Sequence, residues 1–146
     1  ACFESALRRR RSRGDPRSTG LMVVALGSVA LAEGDAERAQ RLGESACAFF
    51  TRAADRPGYF AALCQRADVA LMTGDFEGAE KHYDEVGRYQ PRMRAWSDFY
   101  LADVAQARGD SADALRLLES AQAGMQGQGR RSLEVCAARI SEIRGR

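Results

Sequence analysis

The sequence predicts an all-α fold built from repeated antiparallel helix pairs, and three observations carry that prediction. The chain is rich in alanine and leucine, and its three prolines, Pro16, Pro57 and Pro91, lie between apolar-periodic segments and never inside one. Such a distribution favours long helices over strands. Second, the sequence resembles itself in fixed register. Third, a Gly-Asp dipeptide recurs at one place in each register: Gly34-Asp35, Gly74-Asp75 and Gly109-Asp110.

A shift of 40 residues superposes Glu4-Ser5-Ala6 on Glu44-Ser45-Ala46 and Asp15 on Asp55. It also superposes Val29-Ala30-Leu31 on Val69-Ala70-Leu71, Glu37 on Glu77 and Ala39 on Ala79. A shift of 35 relates Asp68-Val69-Ala70 to Asp103-Val104-Ala105 and Ala79 to Ala114. A period of this length is the mark of stacked supersecondary units.

Each unit reads as two helices and a tight turn. First helices are expected over roughly 20–33, 59–73 and 95–108, and second helices over roughly 36–54, 76–88 and 111–123. Glycine accepts the left-handed conformation that ends the first helix. The following aspartate accepts hydrogen bonds from the free amides of the second. Glu37, Glu77 and Asp113 place negative charge in first turns, where the helix dipole favours it. Ala30, Ala70 and Ala105 near the ends of the first helices, with Ala39, Ala79 and Ala114 one turn into the second, allow close helix approach. Val23, Leu26, Leu63, Leu101, Leu115 and Leu118 are the expected filling between units.

Leu26-Gly27, Ala30, Gly34-Asp35, Glu37, Ala39 and Ala46 are similar to the tetratricopeptide repeat pattern. So are Ala67, Ala70, Gly74-Asp75-Phe76-Glu77, Ala79, Tyr83 and Pro91, and then Leu101-Ala102, Ala105, Gly109-Asp110, Ala114, Leu118 and Ala121. The resemblance implies a right-handed superhelical α-solenoid of about three repeats, with partial units at both ends. On this reading 1–146 is one repeat domain. Residues 1–18 hold the second helix of a partial repeat, 19–56, 57–92 and 93–126 are repeats, and 127–146 is a C-terminal capping helix. The chain is then a piece of a longer array. Gly43 stands where an aromatic residue is usual and Arg66 where an apolar one is usual, so packing is expected to be weaker there. The long spacing also resembles the arrays of bacterial LuxR-type regulators and signalling ATPases. That likeness implies a ligand-sensing regulatory domain as the alternative to a scaffold.

Solenoids bind on the surface lined by their first helices. The resemblance implies inward positions at Leu21, Val24, Ser28, Leu31 and Ala32, then Ala61, Cys64, Gln65, Asp68, Leu71 and Met72, then Trp96, Phe99, Tyr100, Asp103, Gln106 and Ala107. Ser28, Gln65, Asp68, Met72, Trp96, Phe99, Tyr100, Asp103 and Gln106 are the expected partner-binding set. Trp96, Phe99 and Tyr100 form its sharpest cluster, since aromatic side chains are favoured interface anchors. Asp68 and Asp103 occupy equivalent places and suit a basic segment. The family's clamp for C-terminal carboxylates uses lysines and asparagines. This sequence has no asparagine and places acids there instead.

Other classes of function find little support. The paired carboxylates have no accompanying nucleophile, base or metal ligand, so no enzyme, cofactor or metal is expected. A net charge of +2 gives no strong field for nucleic acid or membrane, and no apolar run has membrane-spanning length. The run Arg8-Arg9-Arg10-Arg11-Ser12-Arg13 lacks interleaved aromatics and reads as a solvated helix end. His82 is expected at or near the surface. Gly124, Gly127 and Gly129 read as a flexible connection, with no phosphate loop. Cys2, Cys47, Cys64 and Cys136 form no Cys-x-x-Cys pair and are expected as reduced, partly buried thiols, which points to the cytoplasm. The expected partner is a protein or peptide, with self-association through exposed repeat ends as a further expectation.

Overall fold

The turns between helices follow from local chemistry. In the computed structural model, which describes residues 15–89, 91–127 and 129–145, the described residues form seven helices and no strand. They are α1 (Pro16–Ala32), α2 (Ala36–Arg52), α3 (Arg56–Thr73), α4 (Phe76–Tyr89), α5 (Pro91–Ala107), α6 (Ser111–Gly124) and α7 (Arg130–Arg144). At Gly34, Gly74 and Gly109 the backbone is left-handed, with φ of 75°, 79° and 83°. The amide of each following aspartate donates back to an alanine carbonyl: Asp35 to Ala30 at 2.9 Å, Asp75 to Ala70 at 2.8 Å, Asp110 to Ala105 at 2.9 Å. This is the Schellman closure. Asp35 and Asp110 then serve a second purpose. Their carboxylates accept from the amides of Arg38 at 3.0 Å and Asp113 at 2.9 Å, capping the next helix.

The turn between α2 and α3 has the same hydrogen bonds without the glycine. Asp55 N donates to Phe50 O at 3.0 Å, and Ala54 N donates to Thr51 O at 3.2 Å. Ala54 takes the left-handed place with φ 50°. A side chain there costs about 1–2 kcal/mol, partly offset by the greater chain entropy that glycine loses on folding. Ala54→Gly is therefore expected to stabilise by about 0.5–1 kcal/mol, read as a rise in thermal midpoint.

The prolines need a correction. Pro16 and Pro91 open α1 and α5, and Pro57 lies in the first turn of α3. They sit just inside the helices, where their missing amide has no intrahelical acceptor anyway. This is why all three first helices begin earlier than the apolar periodicity suggests.

The fold divides into two compact units, Ala1–Asp75 and Phe76–Arg146. In the first, α1 packs on α2 and α3, and α2 on α3. Val23, Leu26, Ala46, Phe50 and Ala62 form one core cluster, and Ala30, Ala39 and Val69 another. The Phe50 ring lies where α1 and α3 both present glycine. A Cβ placed on Gly20 would come within 2.8 Å of the ring, and one on Gly58 within 2.2 Å. Gly43 and Arg66, the two departures from the family pattern, meet each other. A Cβ on Gly43 would stand 2.8 Å from Arg66 Cγ. The expected loss of packing is thus corrected: the aliphatic stem of Arg66 fills the space that the missing side chain leaves.

In the second unit α4 packs on α5, α5 on α6 and α6 on α7. Its core clusters are Ala102, Ala105, Ala114, Leu117, Leu118 and Ile140, and Ala95, Ala121, Met125 and Cys136. Leu101 and Leu115 are only partly buried against the first of these. Gly124 is not part of a flexible connection as expected. It ends α6, where an added Cβ would lie 2.9 Å from Ala95 Cβ, and the next residue, Met125, is fully buried.

Candidate functional site

On α5 the residues Trp96, Phe99, Tyr100, Asp103, Gln106 and Ala107 recur at helical spacing. At about 100° per residue they share one face. The three aromatic side chains are half-buried and touch one another. Ring centroids lie 6.0 Å apart for Trp96–Phe99, 6.3 Å for Trp96–Tyr100 and 5.6 Å for Phe99–Tyr100. Tyr100 also stacks on the buried Tyr83 of α4 at 5.2 Å, with ring planes 13° apart. Behind them Trp96 and Phe99 pack on Ala95, Ala121, Met125 and Cys136. The face is therefore an aromatic surface with a rigid backing, made by residues that lock each other's rotamers.

Asp103 continues this stripe. Arg139 of α7 donates to its Oδ1. That hydrogen bond, with the charge of Asp103, raises the Arg139 pKa above its ordinary value. The pair sits at the solvent edge: the Asp103 side chain is 26% exposed and the Arg139 side chain 43%. Gln106 Nε2 donates to Ser111 Oγ at 3.4 Å at the start of α6.

In the first unit the expected positions divide. Leu21, Ser28 and Ala32 of α1, and Ala61, Asp68 and Met72 of α3, are exposed, while Val24, Leu31, Cys64 and Leu71 are half-buried. Gln65 departs from expectation. It is 4% exposed and turned into the unit, where its Nε2 donates to Val24 O at 2.8 Å. Gly27 makes room for it, since a Cβ there would lie 2.3 Å from Gln65 Oε1. Gln65 ties α3 to α1 and is not available to a partner. Burial, together with the Asp68 carboxylate, pushes the Cys64 thiol up to about 11, so it remains protonated at neutral pH.

A second concavity opens on the opposite side of α5. Arg94, Leu101, Ala105 and Arg108 stand roughly 150° around that helix from Trp96 by the same rotation. They line a cavity of about 460 Å³ together with side chains of α4 and α6, among them Glu80, Asp84, Asp113 and Leu117. Its charges are largely paired already: Arg108 with Glu80, Arg94 with Asp84 at 3.4 Å, Arg116 with Asp113 at 2.6 Å. Sequence reasoning missed this groove, because its lining comes from three helices with no shared motif. It also missed Arg139, which stands 36 residues from Asp103.

His82 is half-buried on α4. Cys47 and Cys64 are half-buried free thiols and Cys136 is buried. The arginine run at 8–13 and Cys2 lie outside the described residues. Among the described residues no helix is long and apolar enough to cross a membrane, and no cluster of three or more His, Cys, Asp or Glu could hold a metal ion.

Comparison with known proteins agrees with the repeat reading. A family model described as the tetratricopeptide repeat matches residues 61–85 and 95–120, two adjacent stretches that each end in a second helix. No curated protein and no solved structure matches the chain. Repeats of this family generally mediate protein–protein interaction. With seven helices and no strand among the described residues, Schellman turns at each Gly-Asp and two adjacent repeats matching that model, the fold is an all-α repeat array similar to those of the tetratricopeptide repeat family.

Proposed function

We propose that this protein is an interaction scaffold whose inner face on α5 holds a protein or peptide partner. The observation that carries the reading is the interlocked aromatic surface of Trp96, Phe99 and Tyr100, half-buried and backed by core. Rigid aromatic side chains offer large contact area with little entropy left to lose, which is the character of an interface anchor. Asp103 supplies charge at one end of the surface and Gln106 a polar rim. In the first unit Ser28, Asp68 and Met72 are exposed, with Gln65 buried between α1 and α3. Among the described residues nothing in either face assembles a nucleophile with a base.

The test is a quantitative binding measurement with a partner protein captured by the chain. Trp96→Ala combined with Asp103→Lys is expected to weaken that complex about tenfold or more, the scale on which loss of an interface anchor acts. Far-UV circular dichroism of the variant should match the parent. A complex of unchanged strength would place the interface elsewhere.

A further inference from the structure

The carboxylate on the aromatic face already holds a guanidinium. Arg139 reaches it from α7, the terminal helix of the second unit, and donates to Asp103 Oδ1. This contact joins two helices, unlike the pairs between neighbours on one helix such as Arg41 with Glu37 or Arg130 with Glu134, and it alone places a cation on the carboxylate that ends the aromatic stripe. Arg139 also has somewhere else to go. Glu142, on its own helix, lies 3.7 Å from its Nη1. Vacating Asp103 therefore leaves Arg139 with an acidic neighbour. Partly exposed ion pairs of this kind are weak, and screening by water makes exchange of one cation for another nearly neutral.

What would favour an incoming cation is the rest of the face. Phe99 and Tyr100 stand one turn before Asp103, and Trp96 two turns before it. A guanidinium is planar, sheds water more readily than an ammonium, lies flat on aromatic rings and matches a carboxylate with two donors. An ammonium meets only part of that description.

We propose that the face on α5 selects partners bearing an arginine, which takes Asp103 in place of Arg139 and packs against the aromatic cluster of Trp96, Phe99 and Tyr100. The proposal rests on the binding role given to this face. It adds the chemical class of the partner, an arginine-bearing peptide segment, and gives α7 the part of an internal competitor. Occupancy by a partner arginine passes Arg139 from Asp103 to Glu142.

Trp96 is the chain's one tryptophan, so its fluorescence reports on this face directly. Three acetylated and amidated pentapeptides serve as probes: Ala-Leu-Arg-Leu-Ala and the same peptide with lysine or glutamine at the centre. The arginine peptide is expected to titrate Trp96 fluorescence at least tenfold more tightly than the glutamine peptide, and more tightly than the lysine peptide. Asp103→Asn should reduce its affinity at least fivefold, and Arg139→Gln should raise it. Equal affinity for all three peptides would overturn the arginine assignment while leaving a peptide-binding face in place. No response to any peptide would also overturn it, with the scaffold role still standing if a captured protein depends on Trp96 and falling with it if not. Tighter binding of the lysine peptide, or loss of arginine-peptide binding in Arg139→Gln, would equally reject the exchange.

Discussion

Replacing Phe50 with alanine is expected to destabilise the first unit by about 3–5 kcal/mol, the range for deleting a large buried aromatic side chain. The size follows from where the ring sits. Phe50 is fully buried, and it joins Val23, Leu26, Ala46 and Ala62 in one cluster drawn from α1, α2 and α3. Its ring occupies volume that α1 and α3 leave open by presenting Gly20 and Gly58. Those backbones are spaced by the ring and have no side chains of their own with which to fill the void. The cavity should collapse poorly, which places the loss toward the upper end. The converse substitution tests the same contact. Gly58→Ala should destabilise by about 1–3 kcal/mol through overpacking, although alanine is the better helix former by about 1 kcal/mol. The measurement is urea denaturation followed by far-UV circular dichroism. A midpoint unchanged in both variants would mean that the ring does not set this spacing.

The second large effect belongs to the other unit. Asp98 is 5% exposed, and its carboxylate accepts from Arg94 Nε at 3.0 Å and from Ser120 Oγ at 2.7 Å. Arg94 reaches on to Asp84 of α4 at 3.4 Å, so α4, α5 and α6 share one polar network. Its alanine variant loses two charge-assisted hydrogen bonds and leaves Ser120 without its partner. The expected cost is about 2–3 kcal/mol, since bonds to a charged group contribute about 1.5–3 kcal/mol and half of the Arg94 side chain remains in water. Trp96 lies in the same unit, so its fluorescence during urea denaturation reads this loss. Asp98→Asn keeps the shape and some hydrogen bonding, and should lose less. Equal stability of Asp98→Ala and the parent would show that the network is ornamental to the fold.

Much of the architecture could be read in advance because its causes are local. A glycine followed by aspartate closes one helix and caps the next through hydrogen bonds that stay within nine consecutive residues, 30–38 and 105–113. Alanine at the six close-approach slots is likewise a local choice, and all six are buried, from Ala30, Ala39, Ala79 and Ala114 at 0% to Ala70 at 8%. The turn at Ala54 shows the limit of that reasoning. It has the same hydrogen bonds as the glycine turns, yet its left-handed residue carries a side chain, so no sequence signal marks it.

The sequence by itself determined an all-α repeat, the places of its turns and an aromatic stripe on α5, since these depend on residues within a turn or two of each other. Tertiary structure alone decided which of the expected binding residues are accessible. Gln65 has the spacing of an inner-face residue, but Gly27 on another helix leaves a slot that its amide fills. Asp103 has the spacing of a free carboxylate, but α7 brings Arg139 to it. Helical periodicity says which way a side chain leaves its own helix. What it meets there is set by the helix packed opposite, and those two contacts are separated by 41 and 36 residues of chain.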